Sequence, residues 1–329
     1  MNEALQTWCA SEIDSVMEEK GGTLTVTPLK VEASHRHFYR LGNLVADRNL
    51  TYVCMHSPPE LENNDQFTAL AKLFRSHGLA VAEILAADET RGFFLLDDLG
   101  PLQLADVYGT DLMQPALNAA IASLHVLQGI HDPSIAAYDK DRFAMELGLF
   151  NEWFLSLIKA DTNPDPYQDV YEALIAQTQT QPQVCIHRDF HCRNLLYNNA
   201  RLGIVDFQDA LVGPALYDVA SLLRDCYHEF AEADVDAWLA VYLAGSPLQI
   251  AQPDAKRWLD LTAIQRQLKA IGIFSRLHLR DGKSSHLGHI EPLLRRIINL
   301  ADRYPETRPL CLRLHRLLKP TAQMMARLL

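Results

Sequence analysis

Two carboxylates and one carboxamide stand close together in the middle of the chain. Asp189 lies in Cys185-Ile186-His187-Arg188-Asp189-Phe190-His191-Cys192-Arg193, Asn194 follows directly, and Asp206 ends Gly203-Ile204-Val205-Asp206. Phosphoryl transfer asks for little covalent help from a protein. It needs a carboxylate to orient a hydroxyl and take its proton, and oxygen ligands to hold Mg²⁺ against the phosphates. Asp189 is of the right type for the base. The Asn194 carbonyl oxygen and the Asp206 carboxylate make a hard-oxygen donor pair suited to Mg²⁺. An isolated Asp caps a turn and an isolated Asn forms one; the three in this order favour chemistry. The neighbouring Cys185, His187, His191 and Cys192 raise a zinc alternative. They lack the paired C-x₂₋₄-C and H-x₃₋₅-H spacing of structural zinc modules, and in an extended loop His187 and His191 do not share a face.

These residues need elements to hold them. The stretch reads as strand end, polar loop, short apolar strand, turn and second apolar strand. Upstream, β-prone runs occupy 24–29, 38–41 and 50–55, broken by Ser57-Pro58-Pro59-Glu60. Helical periodicity (Phe67, Leu70, Ala71, Leu73, Phe74) then predicts a helix over 65–77, and two further strands are expected at 83–88 and 92–97. Before all of these, the stripe Leu5, Trp8, Cys9, Ile13, Val16, Met17 predicts a helix over 2–20 stopped by Gly21-Gly22. From residue 102 the pattern is almost wholly helical: 113–129, 142–160, 166–179, 217–233, 235–244, 254–279, 290–303 and 308–329. The expected fold class is α+β, a small antiparallel β lobe (1–98) followed by a large, mostly helical lobe (99–329). We read no internal repeat and no low-complexity segment.

The chain has 329 residues, 48% of them apolar and 22% charged, with a net charge of −11. That profile suits a globular protein able to bury a core. Its acidity argues against nucleic acid or an anionic membrane as main partner, since both favour a basic face. No apolar run approaches the ~20 residues that span a bilayer, and the N-terminus lacks the pattern of a signal peptide. The six cysteines have no framework spacing and read as free thiols. A cytoplasmic protein is expected, with no obligate protein partner evident.

The order His187-Arg188-Asp189, then Asn194, then Asp206 matches the H-R-D-x-x-x-x-N pattern of protein kinases and their following metal-binding acid. The segment resembles the catalytic loop of the aminoglycoside phosphotransferase-like kinases, a branch of the protein-kinase fold. Further blocks narrow the resemblance: 207–214, 217–227, 265–277, 280–283, and, in the first half, 36–41, 57–60 and 96–100. Over almost the whole chain the sequence is similar to the bacterial cell-wall-recycling N-acetylmuramate/N-acetylglucosamine anomeric kinases, which phosphorylate the sugar C1 hydroxyl. The resemblance implies a bilobal fold, ATP and Mg²⁺, Asp189 as general base, and Asn194 and Asp206 as metal ligands. It also implies that His187 and Arg188 hold the loop and that Asp218 accepts hydrogen bonds from its backbone.

By the same resemblance, Asp97, Asp98 and Leu99 lie in a hinge that meets adenine; read alone, that segment is a turn before a helix. Two departures stand out. The third-strand Lys that grips phosphates in most kinases is absent from 50–58, and 62–77 has no obvious mid-helix Glu to pair with it. Arg36 could supply the missing charge; the alternative is a solvated surface arginine. For the acceptor, the polar residues after the metal-binding acid are the candidates: Gln208, Asp209, Arg224 and Asp225. Arg224 could meet a lactyl carboxylate, or simply bridge to Asp225 or Asp218. Trp153 and Trp258 could stack on a sugar or belong to the core. Two other functions remain open: a kinase of another small hydroxyl acceptor such as an aminoglycoside, and a nucleotide-binding pseudokinase.

Overall fold

Alternating apolar residues set the register of an antiparallel meander formed by β1 (Thr23–Leu29), β2 (His37–Val45) and β3 (Arg48–His56). Val26 pairs with Leu41, which in turn pairs with Tyr52. The computed structural model describes residues 1–16, 23–29, 35–45 and 48–329. The expected helix stop at Gly21-Gly22 lies outside them. Helix α1 (Glu3–Val16) precedes the sheet, and α2 (Asn64–Ser76) follows β3, its first turn capped by the Asn63 side chain. Strands β4 (Ile84–Asp88) and β5 (Phe93–Asp97) complete the order β1-β2-β3-β5-β4.

The run Phe93-Phe94-Leu95-Leu96 is apolar throughout because β5 is covered on both faces. Phe93 and Leu95 join Leu5, Cys9 and Ile13 of α1 in one cluster, while Phe94 meets Phe67 of α2 edge-on at 5.7 Å. Gly92 admits this strand: its φ is +67°, and a Cβ there would stand 2.0 Å from the Ser57 carbonyl oxygen.

Two compact units share the chain. Residues 1–116 and 194–208 form the first, and 117–193 with 209–329 form the second. The first also contains α3 (Leu104–Val107) and the hairpin β7 (Leu195–Asn198)–β8 (Arg201–Ile204). That hairpin is tied to the sheet unit by bridges from Val81 to Ile204 and from Gln103 to Leu196, and by Asn198 donating to the Leu99 carbonyl at 3.0 Å.

The second unit holds most of α4 (Met113–Gln128), then α5 (Lys140–Leu149), α6 (Gln168–Thr180) and the strand pair β6 (Gln183–Ile186)–β9 (Leu211–Pro214). Next come α7 (Tyr217–Leu223), α8 (Glu232–Gly245), α9 (Gln252–Asp281), α10 (Ile290–Ala301) and α11 (Arg308–Leu328). Helix α9 is thirty residues long and packs against α5, α6, α7, α8 and α10. It carries Asp260, Gln265, Arg266, Gln267 and Lys269 as buried polar residues along its length.

Two expected helices are divided. The one expected over 142–160 starts at Lys140 and passes into a π-helical segment, Phe150–Leu155, that buries Phe150, Asn151, Phe154 and Leu155. The one expected over 217–233 ends at Leu223, because the Asp225 carboxylate accepts the Tyr227 N–H at 2.7 Å and offers the backbone a local turn instead. Among the described residues, no helix is long and apolar enough to cross a membrane.

Candidate active site

In the first unit, a two-residue turn brings the proposed metal ligands to the same end of a hairpin. Asn198 pairs with Arg201, leaving Asn199 and Ala200 at φ +51° and +59°, the left-handed pair that suits the twist of a tight hairpin. Leu195 pairs with Ile204, and the Val205 N–H donates to the Asn194 carbonyl at 3.0 Å. The antiparallel register therefore sets Asn194 beside Val205 and Asp206. Asn194 Nδ2 lies 3.3 Å from Asp206 Oδ2, and Gln208 Nε2 donates to Asp206 Oδ1 at 2.7 Å. Asp206 has φ +65°, a conformation Asp tolerates better than most residues. Phe207 fixes it there, stacking on Phe67 at 5.4 Å and meeting Phe74 edge-on. The donor types suit a magnesium ion: the exposed Asp206 carboxylate and the Asn194 amide, which here turns its Nδ2 toward Asp206 and carries one oxygen donor.

The other first-unit candidates have protein partners. Arg36 is only 3% exposed, which corrects the solvated-surface alternative. Its Nε donates to Ser57 Oγ at 3.1 Å, Nη2 lies 3.5 Å from Glu62, and the guanidinium stands over Phe67. Asp98 holds Arg40 through both oxygens, at 2.7 and 3.1 Å, and accepts the Gly100 N–H at 2.9 Å. Burial pushes its carboxyl up, but Arg40 and the Gly100 N–H prevail and hold it below the usual range. Asp97 accepts the Glu83 N–H; desolvation raises its pKa. Leu99 gives its carbonyl to Asn198.

The second unit carries Asp189. The Asp218 carboxylate, in the first turn of α7, accepts the His187 N–H at 2.6 Å and the Arg188 N–H at 2.9 Å. That grip bends the loop so that Arg188 takes φ +77°. Arg188 then reaches Glu146 Oε1 at 2.7 Å and the Asp209 carbonyl at 3.3 Å. The Asp189 side chain is 40% exposed, with Arg266 Nη2 at 3.5 Å. Desolvation pushes its carboxyl up; Lys269, Arg266, His191 and Arg188 together outweigh that and hold it well below the ordinary carboxylate range. It is thus ionised at neutral pH, as a proton acceptor must be.

Arg224, expected to face an acceptor, is instead buried against protein acids. It makes two bonds to Glu232, at 2.6 and 2.9 Å, and two to Asp260, at 2.7 and 3.2 Å. Its alternative pairing with Asp225 or Asp218 is replaced by these partners, which come from α8 and α9. Asp225 is fully buried and accepts the Cys192 N–H at 2.8 Å, so it shapes the loop after Asp189. Asp209 is exposed. Trp153 and Trp258 are partly buried.

The APH phosphotransferase enzyme family matches residues 25–259. The chain belongs to this family. It is 34% identical over 299 residues to an N-acetylmuramate/N-acetylglucosamine kinase of Pseudomonas putida, covering 88% of this chain and 86% of the relative. It is 36% identical over 294 residues to the protein of that name in Pseudomonas aeruginosa, covering 85% and 84%. Among solved structures, the ethanolamine kinase of Plasmodium vivax superposes with a TM-score of 0.64 at 12% identity, over 90% of each chain. An ADP-bound aminoglycoside phosphotransferase, APH(2'')-Ib, gives 0.55 at 15% identity over 90% and 98%. The fold is therefore α+β and protein-kinase-like, as expected.

Within this phosphotransferase, the residue around the Asp189 loop that sequence reasoning missed is Glu146. Glu146 of α5 is 3% exposed and binds Arg188, the Tyr138 hydroxyl and, at 3.4 Å, Lys269. Burial pushes its carboxyl up, yet Lys269 and Arg188 hold it below its usual value. Arg266 and Lys269 stand three apart on α9, on one face of the helix. That spacing was legible, but Glu146 looked like any helical surface acid.

Proposed function

We propose that this phosphotransferase moves the γ-phosphoryl group of ATP to the anomeric C1 hydroxyl of N-acetylmuramate and N-acetylglucosamine, in the recycling of cell-wall sugars. One observation carries the acceptor: four relatives, 29–36% identical over 70–91% of this chain, bear that name. Asp189 accepts the proton of the C1 hydroxyl as the oxygen attacks phosphorus; the new O–P bond forms as the bond to the ADP leaving oxygen breaks. Asn194 and Asp206 would hold Mg²⁺, which when bound neutralises charge on the phosphate oxygens. Gln208 steadies Asp206 and, with Asp209, is available toward the acceptor. Residues 1–98 serve the nucleotide, with 97–99 as the adenine hinge, and 99–329 the acceptor. Six buried free thiols suit a reducing cytoplasm.

The test is a coupled ADP-release assay over a panel of free sugars and aminoglycosides with Mg²⁺ and ATP. Turnover is expected with both amino sugars and is lost with their 1-O-methyl glycosides, which lack the reacting hydroxyl. Turnover with methyl glycosides moves the transfer off C1. Turnover with aminoglycosides alone replaces the acceptor, and nucleotide binding without turnover makes the chain a pseudokinase.

A further inference from the structure

Three buried cations surround the Asp189 loop, and their partners divide unevenly. Arg188 and Lys269 both point to Glu146, at 2.7 and 3.4 Å. Arg266 does not share that acid. Its Nη2 donates to the Arg188 carbonyl at 3.1 Å and lies 3.5 Å from Asp189 Oδ1. The same nitrogen thus touches the backbone that carries Asp189 and the carboxylate itself. Its Nε is buried with no hydrogen-bond partner among the described residues, and the guanidinium packs 5.1 Å from the centre of the Tyr217 ring. Asp218, the other nearby acid, is occupied by two loop N–H groups. Exposure sharpens the contrast: Asp189 is 40% exposed, its counter-ion 6%.

We infer that Arg266 is a positioning residue for Asp189, holding the carboxylate and its backbone in one guanidinium grip from the rigid core of α9. The inference rests on the reading of Asp189 as base. An exposed carboxylate on a loop has several rotamers, and a proton acceptor works only in the one that faces the hydroxyl. Fixing that rotamer through a buried, planar cation costs little entropy at the moment of reaction. Lysine at 266 supplies the charge on a freely rotating ammonium rather than on a planar group with fixed N–H directions, so it retains attraction and loses the fixed angle.

The experiment is a double-mutant cycle. Arg266→Gln and Arg266→Lys are made in the wild-type and Asp189→Asn backgrounds, with kcat, KM for both substrates and urea unfolding measured for each. A misplaced base costs about 10²-fold. Arg266→Gln is therefore expected to lower kcat by about 30–100-fold, with both KM values within about 3-fold, and Arg266→Lys by about 10-fold. In the Asp189→Asn background the Gln substitution is expected to change kcat by less than about 3-fold, because the group it positions is gone. Equal losses in both backgrounds overturn the inference, as does an effect confined to KM. Should Arg266→Gln fail to fold, Arg266→Lys decides: wild-type kcat at unchanged stability refutes the role. The wild-type sugar panel judges the proposed acceptor separately. The Arg266 ratios are read with whichever hydroxyl acceptor the wild type turns over, or with basal ATP hydrolysis if it turns over none.

Discussion

Replacing Glu146 by Gln is an isosteric change that removes charge from a buried cluster of the second unit. Glu146 is the acid with which both Arg188 and Lys269 form ion pairs, and it also accepts from the Tyr138 hydroxyl. All of this is buried, with Glu146 at 3% exposure and Arg188 and Lys269 at 8% each. The amide keeps the shape and removes the charge, leaving two buried cations without their contacting acid and with the part-exposed Asp189 as remaining counter-charge. Breaking a buried pair by removing one partner costs about 3–5 kcal/mol, most of it the uncompensated charge left behind. For a unit of roughly 200 residues, at about 2–4 °C per kcal/mol, that lowers its melting transition by about 10 °C.

The pH dependence gives a second reading of the same side chain. Lys269 and Arg188 hold the Glu146 carboxyl below its usual value against desolvation. A depressed carboxyl contributes stability above its unfolded pKa and loses it as pH falls through the folded one. The wild type therefore loses stability on acidification below about pH 4.5, partly through Glu146, and the Gln variant loses less over that window. Urea unfolding of wild type, Glu146→Gln, Lys269→Met and the double variant, at neutral and mildly acid pH, measures both effects. Lys269→Met removes one of the stranded cations, so the double variant should recover about 1–2 kcal/mol relative to additivity. A loss below about 1 kcal/mol for Glu146→Gln, with additive double-mutant energies, would refute the account of Glu146 as the charge hub of the loop.

Asp206→Asn keeps a residue that tolerates the left-handed backbone at φ +65° and removes the anionic ligand. It should raise the Mg²⁺ concentration for half-maximal rate by at least about 10-fold and lower kcat by about 100-fold; an unaltered Mg²⁺ titration assigns the ion elsewhere. Ala200→Gly relieves a non-glycine residue at φ +59° in the β7–β8 turn. Relief of about 1–2 kcal/mol, less the extra freedom glycine gains when unfolded, should stabilise the first unit by about 0.5–1 kcal/mol in urea. The cysteines should be unreactive in the folded protein: all six are buried, and burial pushes the Cys185 and Cys226 thiols up to about 12. At pH 8 about one molecule in 10⁴ carries either thiolate. Mass spectrometry after iodoacetamide should show less than one alkylation per native chain and six after denaturation.

Much of the proposed site was legible because it is local. Asn194 and Asp206 are joined by a single hairpin, and strand periodicity with a turn between is enough to predict that they meet. Asp189 and Asp218 were legible through the family pattern. Arg224 was not: its partners Glu232 and Asp260 lie 8 and 36 residues on, in two other helices, and no periodicity announces such a pairing. Arg36 fell between two expectations, since a lone Arg before a strand gives no sign that Ser57, Glu62 and Phe67 will enclose it. The helix over 217–233 failed for a local reason. The apolar spacing continues past Leu223, but Asp225 takes the Tyr227 N–H that the helix would need.

The loop around Asp189 shows why the remainder is invisible in sequence. An arginine at φ +77° is strained by about 1–3 kcal/mol and persists only if its surroundings over-determine it. Here Asp218 binds the two N–H groups from α7, Glu146 binds the side chain from α5, and Arg266 binds the carbonyl from α9. Each contact spans at least 30 residues, and each uses a residue type that is unremarkable on a helix. The strain is local but the restraint is tertiary, so a sequence reading finds the proposed base and Asp218 but misses that Glu146 and Arg266 complete the hold on the loop. Loosening any one helix contact should therefore reduce turnover before it unfolds the chain. That order separates a positioned loop from one that merely contains the right residues.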